Sequence, residues 1–239
     1  TDSEAVAQGK VEPKFKTEDP LPEAVSSDQI PGDVPASGSL TERFAKEFFS
    51  KFVLSKNMGN VTDADKETFV AGAVASIVAE TATKTVFSEK DVVAGTVSGP
   101  EALQTYGTAS DAAQRKPSAT LEKDELSYML DYMNTNDEDA LKKVALIGKA
   151  YHDTAYALIK VSAPPELRSS HLKLANTLEQ ISVAVSNMAA VKSDPVLSLV
   201  GLGQYSVAAV RLQDVLDEMH PVYDAAGVRF GKPYDRIEP

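Results

Sequence analysis

Residues 163–226 read APPELRSSHLKLANTLEQISVAVSNMAAVKSDPVLSLVGLGQYSVAAVRLQDVLDEMHPVYDAA, and this stretch decides the fold. Pro164-Pro165 cannot prolong a helix from upstream. Pro165 does suit a first helical turn, and Glu166 complements the positive end of the helix dipole. Beyond them Leu167, His171, Leu174, Leu178, Ile181, Val185 and Met188 recur at alternating spacings of four and three. A 3.5-residue period is one sustained apolar seam, which packs against other helices at a shallow angle. The expected helix runs from Pro165 to about Val191, roughly 40 Å at 1.5 Å per residue. Asp194 then reads as an N-cap and Pro195 as the first residue of a second helix. That helix is apolar over a wide arc: Val196, Leu199, Val200, Val207, Val210, Leu216, Met219 and Tyr223. Gly201 and Gly203 weaken it, and both are expected to admit a close neighbour. The short link makes the two helices antiparallel neighbours.

Working outward, the chain supplies further helices for this pair to pack against. Ser39-Leu40-Thr41-Glu42 reads as a capping box. Phe44, Phe48, Phe49 and Phe52 follow on one helix, an aromatic face expected to be core, with a docking groove as the alternative. A second helix is expected over residues 62–83, carrying Phe69, Val70, Ala73, Val74, Ile77 and Val78. Residues 86–99 are β-branched in places, but an isolated hairpin is marginal. They are read as an extended crossing loop with one turn capped by Ser88 and Asp91. Pro100 starts a helix to about Lys116. The next opens at Thr120 and Lys123-Asp124 with Leu121, Leu126, Met129, Leu130 and Met133 as its face, Tyr128 and Tyr132 bordering it. Asn134-Thr135-Asn136 breaks the pattern, and Asp137-Glu138-Asp139 gives an acidic first turn to a helix reaching about Ser162. Its apolar positions are Leu141, Val144, Gly148, Tyr151 or His152, Ala155 and Ile159. The fold expected is all-α: a bundle of about seven helices, three of them long.

The two ends are different material. Residues 1–38 hold five prolines and eight acidic against three basic residues, too little apolar surface to offset the entropy of ordering. They read as an acidic, Pro-rich stalk or arm. Residues 39–226 are the bundle domain. Residues 227–239 form a non-helical tail in which Val228, Phe230 and Tyr234 are apolar enough to pack back on the bundle, with a subunit contact as the alternative.

A hydrophobic content of 43% supports a real core, and the net charge of −11 argues against general binding of nucleic acid or anionic lipid. The absence of cysteine removes disulfides, a thiol nucleophile and thiolate metal sites. It fits an exported protein of a bacterium without oxidative folding. No run is expected to approach the ~18 apolar residues of a membrane span. Because the sequence begins at Thr1, an upstream signal or membrane anchor is expected to be missing or processed away, which N-terminal sequencing of native material would test.

The run Pro164-Pro165-Glu166-Leu167, His171-Leu172, Asn176, Met188, Asp194-Pro195 and Tyr205 resembles an uncharacterised helical family of small-genomed candidate-phylum bacteria. Leu40-Thr41-Glu42-Arg43-Phe44, Phe48-Phe49 and the helix bearing Tyr151 and Tyr156 fit the same likeness, which covers residues 39–223. The resemblance implies a membrane anchor, a low-complexity spacer and a helical extracytoplasmic domain at the cell surface or envelope. It implies no activity and no catalytic residues.

Few residues carry a chemical signal. His152, His171 and His220 stand on three different helices. A di-metal bundle site needs Glu-x-x-His pairs, and none occurs; nor does His-Glu-x-x-His. His171 sits in the seam and reads as a satisfied, hydrogen-bonded core histidine; if it is neutral and buried, its pKa is lowered and the domain loses stability as pH falls through the imidazole range. Gly201-Leu202-Gly203-Gln204-Tyr205-Ser206 imitates part of a dinucleotide fingerprint but lacks the third glycine and the preceding strand. Asp137-Glu138-Asp139 lacks the spacing of a calcium loop. The tyrosines after Gly99 could line a peptide or glycan surface, and otherwise edge the core. No catalytic, cofactor-binding or metal residue is therefore assigned. The leading expectation is a non-enzymatic, surface-exposed helical module making protein–protein contacts in a cell-envelope or pilus-related assembly. The alternatives are a self-assembling subunit of a surface layer or filament, linked through its two end segments, and a helical enzyme or metal carrier.

Overall fold

The structure, a computed structural model, describes residues 36–58, 84–115 and 121–228, with Thr62, Thr68 and Gly72. Six α-helices lie among them: α1 (Leu40–Met58), α2 (Pro100–Arg115), α3 (Glu125–Thr135), α4 (Glu138–Leu158), α5 (Arg168–Met188) and α6 (Pro195–Ala225). The fold is an all-α helical bundle. Most of the helix expected over residues 62–83 lies outside the described residues, although Thr68 and Gly72 are helical; nearly all of the expected arm lies outside them too. All described residues belong to the unit Pro35–Pro239.

Helix α5 is the centre of the bundle. Leu167, His171, Leu174, Leu178, Ile181, Val185 and Met188 are all buried, none more than 6% exposed, so the expected seam is wholly internal. Pro165–Leu167 forms a 3₁₀ turn ahead of α5 rather than its first α-turn, and the helix stops at Met188, short of Val191. Helices α4 and α6 pack along α5 on either side. The pairing with α6 is antiparallel, as its polar ladder shows. Asn187 Nδ2 donates to Gln204 Oε1 at 3.1 Å, Arg211 to Gln180, and Lys173 Nζ to Glu218 Oε2 at 2.7 Å. Each rung lies seven residues from the next on both helices, the register of a 3.5-residue seam.

Asp194 joins three segments. Its Oδ1 accepts from Leu197 N at 3.2 Å, capping α6 as expected. The same carboxylate accepts from Leu40 N, Thr41 N and Thr41 Oγ1, which also anchors the start of α1. Burial opposes its charge, but the hydrogen bonds from Thr41, Leu197 and Leu40 outweigh that and hold the carboxyl below its usual range. Ser39 Oγ accepts from Glu42 N, and Glu42 reaches back to Gly38 N instead of the cap residue. The aromatic face of α1 is not simply core: Phe44 is half-buried and Phe49 is 67% exposed. The anchor on Asp194 fixes the first turn of α1, and Phe49 lies two turns beyond it.

Residues 84–99 cross the bundle as an extended loop with a single 3₁₀ turn, Glu89–Asp91, boxed by Ser88 and Asp91. Asn176 of α5 fastens the loop: its Oδ1 accepts from Val86 N and Phe87 N, and its Nδ2 donates to Phe87 O. A lone parallel bridge pairs Ala94 with Ala163. Phe87 and Val92 thereby enter the core. After α6, Val228 N donates to Tyr223 O and Val228 packs on the core, as expected of it; Phe230 and Tyr234 lie outside the described residues.

Two expected faces are corrected. In α6 the buried residues are Ser198, Gly201, Ala208, Val215 and Met219, whereas Leu199, Val207 and Val210 are exposed. Small residues go inward because α6 lies close on α5. A Cβ on Gly201 would stand 2.7 Å from Ala184 O and 2.8 Å from Met188 N. Gly203 faces open space, so only one of the two glycines admits a neighbour. In α3 the helix starts after Leu121, Tyr128 is buried, and Leu126, Leu130 and Met133 are 44%, 58% and 74% exposed. The larger area of Tyr128, with Tyr132 half-buried beside it, outweighs the aliphatic stripe.

Candidate interaction face and polar cavity

The outward side of α6 is the first candidate. From Pro195 to Val210 the sequence carries no charge, and charge returns only at Arg211. At 100° per residue Leu199, Leu202, Ser206 and Val210 share one outward stripe, with Val207 at its edge. Leu199, Leu202, Val207 and Val210 are 70%, 45%, 60% and 64% exposed. By length and composition α6 could cross a membrane, and little of its apolar stretch is buried. This corrects the expectation that no run approaches such a length. Buried polar bonds nevertheless tie its other side to the bundle, among them Ser198 Oγ to Met188 O at 2.9 Å.

A second feature lies where α3 begins. Asp124 caps that helix by accepting from Ser127 N at 2.7 Å. Glu125, the first helical residue, is 4% exposed, and its carboxylate sits at the positive end of the dipole. Tyr151 of α4 donates to Glu125 Oε1 at a long 3.3 Å, and the Tyr205 hydroxyl reaches the same carboxylate from α6. Burial first, and then Glu125, push both phenols far above their usual range, so both remain protonated donors. Beside this group is a cavity of about 270 Å³ lined by Gln114, Leu121, Lys123, Asp124, Glu125, Ile147, Ala150, Tyr151, Thr154 and Leu178. The sequence offers Tyr151 or His152 for the α4 seam and gives no sign of the convergence. The partners stand at positions 125, 151 and 205, and no local pattern joins them.

The three histidines do not converge. His171 is fully buried, with Nδ1 2.9 Å from the Tyr106 hydroxyl of α2. It is a buried, hydrogen-bonded core histidine as expected, with one of its two ring nitrogens satisfied. Nε2 has no partner of hydrogen-bond geometry, although the Ile159 backbone nearby favours the protonated ring. Burial outweighs that and lowers the imidazole pKa, as expected. Ser110 Oγ lies beside the Tyr106 hydroxyl, also without a well-formed bond. His152 Nδ1 meets Glu179 Oε2 at 2.9 Å and its ring lies over Tyr156, while His220 faces Asp217 at the surface. Among the described residues no three metal-ligating side chains come together. Gly201–Ser206 is an internal turn of α6, so it has no phosphate-binding helix start.

The tyrosines divide. Tyr106 and Tyr128 are core, while Tyr132, Tyr151, Tyr205 and Tyr223 are half-buried at its margin. Compared with family models, curated proteins and solved structures, the chain matches none.

Proposed function

We propose that this chain is a non-enzymatic, surface-exposed helical module that works through protein–protein contacts within a cell-envelope or pilus-related assembly. The observation that carries the reading is the outward stripe of α6. Leu199, Leu202, Val207 and Val210 are large, aliphatic and exposed on a helix whose opposite side is well packed. Leaving such a stripe in water forgoes about 25 cal/mol for each Å² that a partner would cover. Contiguous exposed apolar surface marks interaction sites more often than scattered single residues do. The acidic balance of the chain favours a protein partner over an anionic membrane. The resemblance in residues 39–223 adds the extracytoplasmic setting, with residues 1–38 as the stalk.

The test is photo-crosslinking with mass spectrometry on intact cells, with the crosslinker placed in turn at Leu199, Val210 and the polar surface residue Asp153. Partner peptides should concentrate on the α6 positions. Equal yields at Asp153, or loss of no partner in a Leu199→Glu, Val210→Glu variant, would remove the basis of the reading. Light scattering distinguishes the self-assembling alternative, in which the purified chain polymerises without any partner.

A further inference from the structure

We propose that the cavity between α3, α4 and α5 is a binding site for a small organic ammonium ion, with Glu125 as its counter-ion. Glu125 is a buried carboxylate, and among the described residues none of the ion pairs includes it. The lysine that lines the cavity is taken: Lys123 Nζ binds Asp131 at 2.7 Å. The neighbouring carboxylate is also engaged, because Asp124 caps α3. Of the two carboxylates that line the cavity, Glu125 is the one not used as a helix cap, and it has capacity to spare. A carboxylate offers about four acceptor positions, and the bond from Tyr151 is long at 3.3 Å.

The rest of the lining selects the ligand. Leu121, Ile147, Ala150 and Leu178 supply an aliphatic wall, and Tyr151 lines the same space. An alkylammonium matches both parts: its N–H donors make charge-assisted bonds to Glu125, its charge is attracted by the Tyr151 ring, and its chain covers the wall. The buried negative charge repels carboxylates and phosphates. A volume of about 270 Å³ lies at the small end of ligand sites, which excludes nucleotide-sized cofactors.

The experiment is calorimetric and NMR titration of the full chain at pH 7 with n-butylammonium, n-butanol and n-butyrate. The ammonium should saturate one site and bind about tenfold more tightly than the alcohol, the lower end for a hydrogen bond to a charged group. Butyrate should not bind. Glu125→Gln should bring the ammonium down to the level of the alcohol. Ala150→Leu, which fills the cavity from a helix position that accepts leucine, should block both. That second variant also separates the site from diffuse attraction of cations to an acidic surface, which an uncharged replacement inside the cavity would not alter. Equal affinity for ammonium and alcohol, saturable binding by neither, or ammonium binding unchanged in folded Ala150→Leu protein would each overturn the assignment.

Discussion

Replacing Gly201 and Gly203 by alanine, one at a time, should shift stability in opposite directions. Both lie inside α6, two residues apart, and in an isolated helix each exchange would gain about 1 kcal/mol. At Gly203 that gain stands nearly alone, because nothing lies within 4 Å of the added Cβ. At Gly201 the Cβ would meet Ala184 O at 2.7 Å and Met188 N at 2.8 Å, where ordinary contact begins at 3.4 Å. Both atoms are backbone of α5, so no side chain can swing aside. The helices must part by about 0.7 Å, loosening the packing of Val185, Met188 and Ala208. Overpacking of this kind costs about 1–3 kcal/mol, and the rigid partner puts it toward the upper end. Net of propensity, Gly201→Ala should lose about 1–2 kcal/mol and Gly203→Ala gain about 0.5–1 kcal/mol. In thermal unfolding followed by circular dichroism, that is about 2–8 °C down against about 1–4 °C up for a domain of this size. If both substitutions raise Tm, α6 does not lie this close to α5 and the packing argument is wrong.

Three other substitutions probe the same frame. Asp194→Ala removes the cap of α6 and the anchor of α1 together; it should cost about 2–4 kcal/mol, with hydrogen exchange of the Leu40 and Thr41 amides rising before that of α5. Asn176→Leu leaves the Phe87 N–H buried without an acceptor, so a loss of about 2–3 kcal/mol should accompany faster exchange at Val86 and Phe87 than elsewhere in the core. His171 ties stability to pH. Its folded pKa is lowered, so the unfolded chain binds the proton more readily; stability is full above the unfolded value of about 6.5 and falls as pH drops below it. Denaturant titrations from pH 8 to pH 5 should show this slope in the parent, at most about 1.4 kcal/mol per pH unit, and a shallower one in His171→Gln. An identical pH profile in the two proteins would mean that His171 is not held neutral by burial.

What could be read in the sequence depended on how many sides of a helix are covered. Helix α5 is covered on most sides, so its large apolar residues other than Leu172 and Val183 are buried, and the period from Leu167 to Met188 gave its inner face directly. Helix α6 has one packed side, and there closeness of approach decides burial. Gly201, Ala208 and Ser198 are inside because they are small, while a scale that ranks residues by apolar size pointed to Leu199, Val207 and Val210. Helix α3 departs from its pattern for a different reason: Tyr128, larger than any residue of the aliphatic stripe, takes the inner side. The cap at Asp194 was legible, since a cap needs only a local acceptor and its own helix; Asp124 and Asp137 also cap their helices, where the sequence shows only a helix opening and an acidic first turn. The second role of Asp194 was not, because Leu40 and Thr41 are more than 150 residues away.

The inversion in α6 also bears on what the protein does. Stability alone explains the inner face: small residues let two backbones meet, and the polar ladder fixes their register. It does not explain the outer one. A surface that only had to keep the bundle in solution would carry charge at Leu199, Leu202, Val207 and Val210, as α6 itself does after Arg211 at Asp214, Asp217 and Glu218. Polar replacements at such exposed positions ordinarily change stability by no more than about 0.5 kcal/mol. Keeping four aliphatic residues there contributes little to the fold and lowers solubility, which is what supports the contact proposed for this side. The helix thus divides along its length as well as around it: an uncharged half from Pro195 to Val210, and a half from Arg211 onward whose exposed side is charged while Val215 and Met219 stay in the core.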